Sequence, residues 1–232
     1  MQGKTVAITG ALGALGCVVA ETAARRGAQV ALIDHARVAP EGFAERLGAG
    51  ALIVGGVDLT SAPAAEAAMA SVEAKFGRID ALINIAGGFQ WQTVADGEID
   101  GWDRMYAMNL KTALNASRAA LPYLLASGAG RIVNVGAQSA LHAAAGFGPY
   151  AASKSAVHRL TESLADELKL KGVTVNAVLP STIDTAANRR DMPKADFSRW
   201  VAPADLAAVI LFLISDEAKA VTGALILVSG RV

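Results

Sequence analysis

The sequence predicts an α/β fold: one doubly wound domain on a seven-stranded parallel sheet with helices on both faces. Three observations predict it. Short apolar, β-branched runs alternate with longer helical patterns from one end of the chain to the other. A glycine-rich turn joins the first of those runs to the first helical pattern. The residues able to do chemistry fall just past the ends of the apolar runs, where ligands bind in sheets of this kind.

Lys4–Thr9 reads as the first strand, and an Ala-rich helical stretch runs to Arg26 after the turn TGALGALG. Strand, glycine turn and helix together mark a phosphate site. Glycines let the backbone approach a pyrophosphate, and the free N–H groups and the helix dipole supply a positive field. Gly10, Leu12, Gly13, Ala14, Leu15 and Gly16 are therefore candidate cofactor-binding residues. The second strand, Gln29–Ile33, ends in Asp34. About twenty residues past the glycines, a carboxylate is placed to accept hydrogen bonds from both hydroxyls of an adenosine ribose. It repels a 2′-phosphate, so NAD(H) is favoured; Arg37, three residues on, leaves NADP(H) open.

The third strand, Ala51–Val54, leads to Asp58 and Leu59 in VDLT, where Asp58 either accepts from an adenine amino group or caps the next helix. The fourth, Ala81–Ile85, closes on Asn84, Ala86 and Gly87, and these small residues let the backbone lie against the cofactor ribose. A long helical pattern follows over Gly101–Ser127, then a fifth strand, Arg131–Gly136. The next helix, Gly148–Lys171, carries Tyr150 and Lys154 one turn apart on a single face. A phenol with a pKa near 10 is a poor acid or base at neutral pH, and a nearby ammonium is expected to lower it toward the working range. The sixth strand, Thr174–Leu179, precedes Pro180, Ile183 and Thr185; the Thr185 hydroxyl either holds a nicotinamide carboxamide or belongs to an ordinary loop. Ala224–Val228 is the seventh strand.

Composition narrows the function. A chain of 232 residues, 53% hydrophobic and without a linker-like segment, is expected to form one domain over 1–232. Its formal net charge is zero and no basic stretch is long enough to track nucleic acid. No apolar run reaches membrane-spanning length, and the first strand starts too early to leave room for a signal peptide, so a cytoplasmic setting is expected. The single cysteine, Cys17, can form no internal disulfide and reads as a small core residue.

These residues resemble the short-chain dehydrogenase/reductase family along the whole chain. TGALGALG is similar to its glycine turn, DLT to its adenine-side motif, NIAG to its Asn-Asn-Ala-Gly motif, and YAASK to its catalytic Tyr-Lys motif, with Asn109 in MNL between them. The resemblance implies a Rossmann-like NAD(P)-dependent oxidoreductase acting on a small carbonyl or alcohol. It makes Tyr150 the catalytic acid/base, Lys154 a ribose-binding group that lowers the tyrosine pKa, and Asn109 part of a proton relay. Helices of relatives corresponding to those around 101–127 and 148–171 pack across two-fold axes, which implies a homodimer or homotetramer.

Three departures qualify the match. The glycine spacing is Gly-x-x-Gly-x-x-Gly, Ile85 replaces the second Asn, and Ala137 stands where the family has its catalytic serine. An alanine methyl cannot polarise a substrate oxygen. Ser139, two residues on, takes that place if the loop curls inward, and is otherwise a solvated or capping serine. The dihydropteridine reductase branch shares the GALG turn and the alanine, so a quinonoid pteridine reductase is the alternative reading. A catalytically weak cofactor-binding regulator is a third. On the substrate side, Phe89, Trp91, Phe147, Phe197 and Trp200 suit a flat or apolar ligand or act as core anchors, and His142 and Asn188-Arg189-Arg190 read as surface groups.

Overall fold

Alternation of inward and outward side chains along each strand decides the architecture. In the first strand, β1 (Thr5–Thr9), Val6 and Ile8 face one apolar layer while Ala7 faces another, and all are fully buried. The same split recurs in β2 (Gln29–Ile33), β4 (Ala81–Asn84) and β5 (Arg131–Val135), so the sheet needs helices on both sides. This computed structural model describes residues 1–48 and 50–232.

All seven strands pair in parallel, in the order β3-β2-β1-β4-β5-β6-β7, with β3 at Leu52–Val54, β6 at Thr174–Pro180 and β7 at Leu225–Val228. One layer holds α1 (Ala14–Arg25), the short α2 (Phe43–Leu47) and the C-terminal α8 (Pro203–Leu213). The opposite layer holds α3 (Ala62–Phe76), α5 (Thr112–Ala126) and α6 (Gly148–Leu168). The six-residue α7 (Ala186–Asp191) lies in the segment after β6. This is the doubly wound α/β sheet that the strand and helix periodicities predict.

One expected element is divided. The helical pattern over 101–127 is α4 (Ile99–Met105), a π-helical stretch Tyr106–Lys111, and then α5. The wider turn falls where Asn109 must leave the helix surface to bond Gly88, and a local π segment is a common way to aim one side chain at a site. The strand order reverses direction between β1 and β4, and a crevice opens there beyond the carboxyl ends of the strands.

Candidate active site

The crevice is a cavity of about 780 Å³. Its wall contains the predicted turn residues Gly10, Leu12, Gly13, Ala14, Leu15 and Gly16, together with Asp34, Asp58, Leu59, Ala86 and Gly87. Two glycines are required by close approach. Gly10 has a φ of +63°, and a Cβ there would stand 2.7 Å from Ala86 N. A Cβ on Gly16 would stand 2.2 Å from the Gly10 carbonyl, so the departing spacing still packs α1 tightly against its turn. The Asp34 carboxylate sits at the end of β2, where it accepts from Leu12 N–H at 2.8 Å and Ala36 N–H at 2.9 Å. That fixes its position and leaves lone pairs free for ribose hydroxyls. A glycine turn packed this closely on Ala86 and α1, with a placed carboxylate at one end, fits a dinucleotide.

His35, Arg104 and Met108, which carried no sequence signal, also face the cavity, as do Val57 and Thr60 of the VDLT stretch and Ile85. Asp58 lies on the cavity wall and does not cap α3, whose N-cap is Ser61. It accepts from the Thr60 N–H at 2.9 Å and hydroxyl at 2.7 Å, bonds that lower its carboxyl pKa.

Five predicted cofactor residues do not line the cavity: Asn84, Pro180, Ile183, Thr185 and Lys154, the last described below with the catalytic candidates. Asn84 is buried in the sheet, where its amide donates to Asn134 Oδ1 at 2.9 Å and Ser117 Oγ at 3.0 Å. Asn134 passes the chain on to Thr161 Oγ1 at 2.9 Å, so Asn84 ties β4 to α6 through a dry polar network. Pro180 closes β6, and Ile183 forms a bridge with Val201. Thr185 caps α7, accepting from Asn188 N–H at 3.2 Å.

The catalytic corner lies behind Gly87. A Cβ there would meet Asn109 Oδ1 at 2.5 Å and Lys154 Nζ at 3.4 Å, so the glycine is what lets both groups reach the cavity's end. Asn109 is buried and clamped: Gly88 N–H donates to its Oδ1 at 2.9 Å, and its amide donates to Gly88 O at 3.1 Å and Ser153 Oγ at 3.0 Å. The Ser153 hydroxyl in turn donates to the Tyr150 carbonyl at 2.7 Å. Ser153 is a contact that sequence reading missed; only its place inside YAASK pointed toward the site.

Lys154 is buried, and its ammonium donates to Val135 O at 2.8 Å. Burial pushes the Tyr150 phenol up to about 12 and the Lys154 ammonium down to about 8, each by desolvation.

Ala137 follows β5, at the serine position, and is buried. Its N–H donates to Nε2 of the buried His158 at 3.4 Å, and Ser155 Oγ donates to Ala140 O at 2.8 Å, so α6 anchors both ends of the short turn. Ser139 lies in that turn and makes no hydrogen bond among the described residues. Phe89 and Phe147 form an aromatic group with Tyr150, the Phe89 ring meeting the phenol edge-on at 5.0 Å. Trp91 lies over Gly146 instead, and Phe197 packs on Trp200 at 4.8 Å. Arg189 grips Asp184 through two bonds of 2.6 and 2.7 Å and covers the Phe197 ring, so it braces the loop. His142 is exposed. Among the described residues no group of three or more His, Cys, Asp or Glu could hold a metal ion, and no helix is long and apolar enough to cross a membrane.

Comparison with known proteins agrees with this geometry. The short chain dehydrogenase family profile matches residues 4–196. The chain is 36% identical to 2-(S)-hydroxypropyl-CoM dehydrogenase 3 of Xanthobacter autotrophicus over 99% of its own length and 96% of the relative's. It is 32% identical to D-threitol dehydrogenase of Mycolicibacterium smegmatis, over 99% and 93% respectively. The 3-ketoacyl-(acyl-carrier-protein) reductase of Brucella melitensis, solved with NADH, superposes with a TM-score of 0.88 at 28% identity, covering 99% of this chain and 98% of that one.

Proposed function

The chain belongs to the short-chain dehydrogenase/reductase family, and from that we propose an NAD(H)-dependent oxidoreductase that interconverts a small secondary alcohol and its carbonyl, with Tyr150 as acid and base. The observation that carries this reading is the meeting of Gly87, Asn109, Lys154 and the Tyr150 turn at the end of the nucleotide cavity.

The bound nicotinamide would supply the hydride for reduction or accept it in oxidation. The chain's own residues bind and move the proton. The Gly10–Gly16 turn offers its N–H groups to the pyrophosphate, and Asp34 accepts from the ribose hydroxyls while repelling a 2′-phosphate. Lys154 holds the remaining ribose. Tyr150, protonated at neutral pH, gives its proton to the carbonyl oxygen in reduction and takes it back in oxidation. Ribose and substrate at the corner add interactions that stabilise the phenolate when it forms. Asn109, fixed by Gly88 and Ser153, keeps the relay in register behind Lys154. Ser139 is the hydroxyl free to assist where Ala137 has none.

Relatives named for alcohols weigh toward an alcohol or carbonyl substrate and away from a quinonoid pterin. A single domain over 1–232 in a cytoplasmic setting, assembled as a homodimer or homotetramer, completes the reading; Leu114 and Leu125 of α5 stay exposed on the unpaired chain. The test is NAD⁺ reduction at 340 nm across a panel of secondary alcohols. Turnover with at least one supports the reading, and saturable NAD⁺ binding with none turned over counts against it.

A further inference from the structure

The glycine turn gives a pyrophosphate little to bind. From Gly10 to Gly16 it reads GALGALG and carries no hydroxyl, amide or cationic side chain. Three of its N–H groups are already used: Ala11 N–H donates to Ile33 O at 3.5 Å, Leu12 N–H to Asp34 at 2.8 Å and Gly13 N–H to Gly10 O at 3.3 Å. Among the described residues the N–H groups of Ala14, Leu15 and Gly16 have no partner, at the start of an α1 that lacks a side-chain cap. The cavity wall also carries two carboxylates, Asp34 and Asp58, and these repel a phosphate. A pyrophosphate with a negative charge on each phosphate group therefore calls for a cation from elsewhere.

One is present. Arg104 is the single Arg or Lys on the wall among the described residues, and it lines the cavity with Ala107, Met108 and Thr112 of the same helical run. Neighbouring cations are engaged or turned away: Lys154 donates to Val135 O at 2.8 Å, Arg37 packs on Gly56, and Lys111 stays off the wall. Arg104 itself is loosely held. Its Nε donates to the neutral Gln90 Oε1 at 3.4 Å, and its Nη2 stands 3.7 Å from the exposed Glu98 carboxylate. A guanidinium has five N–H donors, so most of its capacity is unspent. Its planar fork matches two phosphate oxygens, and such charge-assisted pairs are stronger than one long bond to an amide. The side chain is half exposed, which leaves it free to turn.

We propose that Arg104 is a cofactor-binding residue whose guanidinium leaves Gln90 and Glu98 to bind the pyrophosphate of the dinucleotide, supplying the countercharge that the apolar turn lacks. This rests on the oxidoreductase reading above.

The test reads binding and needs no turnover. NADH is titrated by fluorescence, and ADP-ribose and adenosine compete against it, in wild type, Arg104→Met and Arg104→Gln. ADP-ribose keeps the pyrophosphate and adenosine lacks it. Both variants are expected to lose about tenfold in affinity for NADH and for ADP-ribose, and to hold adenosine within about twofold of wild type. The adenosine control separates a phosphate contact from a general disturbance of the cavity. Urea unfolding confirms that the variants fold, and should one of them fail, the other is read alone. ADP-ribose affinity within about twofold of wild type in a folded variant, or an equal loss for adenosine, overturns the proposal. A wild type that binds no NADH is a different failure, because it removes the oxidoreductase reading itself.

Discussion

Replacing Gly87 with alanine is the sharpest perturbation of the catalytic corner. The added methyl would stand 2.5 Å from Asn109 Oδ1, where ordinary contact begins at 3.4 Å. The amide must retreat by roughly 1 Å, and its bonds to Gly88 and Ser153, now 2.9 to 3.1 Å, cannot all survive. Losing two of them in a buried setting costs about 2 kcal/mol of stability. A shift of about 1 Å behind Lys154 is expected to lower kcat by about 100-fold. Urea unfolding gives the first quantity and steady-state oxidation of a secondary alcohol the second. An unfolding free energy within about 0.5 kcal/mol of wild type, with kcat within about twofold, would refute the packing argument.

Three further outcomes are expected. Ser153→Ala removes the bridge between Asn109 and the Tyr150 carbonyl; kcat should fall about tenfold with KM for NAD⁺ little changed, and Ser153→Thr, which keeps the hydroxyl, should recover most of it. Equal losses in both variants would point to packing alone. Asp34→Ala removes the charge proposed to face the ribose, so kcat/KM for NADP⁺ relative to NAD⁺ should rise at least about tenfold, and an unchanged ratio would sink the assignment of Asp34. His158 is buried neutral, its pKa pushed down to about 4 by burial and by the nearby Arg159 and Lys154. The unfolded chain, with an ordinary value near 6.5, binds the proton first, so this group removes stability as pH falls from about 6.5 toward 4. By pH 5 the loss amounts to about 2 kcal/mol, and His158→Gln should not show it in urea unfolding at pH 7 and pH 5. An identical pH dependence in that variant would contradict the burial argument.

The fold was legible because its signals are local and periodic. Val6, Ala7 and Ile8 alternate between two layers, and a strand–glycine–helix start such as Thr9 to Ala14 has few other solutions. The cavity wall was legible for the same reason, since the turn, Asp34, Asp58 and Gly87 all sit at strand ends. What could not be read depends on contacts between distant segments. Nothing local shows that Asn84 is consumed by Asn134 and Ser117, or that Ser153 reaches back to Asn109. The π-helical stretch around Asn109 answers to Gly88, some twenty residues away, and leaves no mark in the helical periodicity. Residue spacing puts Tyr150 and Lys154 one turn apart and says nothing about desolvation, which raises the phenol pKa. That Arg189 is engaged by Asp184, five residues before it, was likewise not read from the sequence.

The proton transfer assigned to Tyr150 is tested most directly by Tyr150→Phe, which removes the hydroxyl and keeps the ring that packs against Phe89 and Phe147. NADH binding by fluorescence titration should stay within about threefold of wild type, while kcat for alcohol oxidation should drop by about 10³-fold. A variant that binds NADH normally and retains more than about a tenth of wild-type turnover would remove Tyr150 from the chemistry and the reading with it.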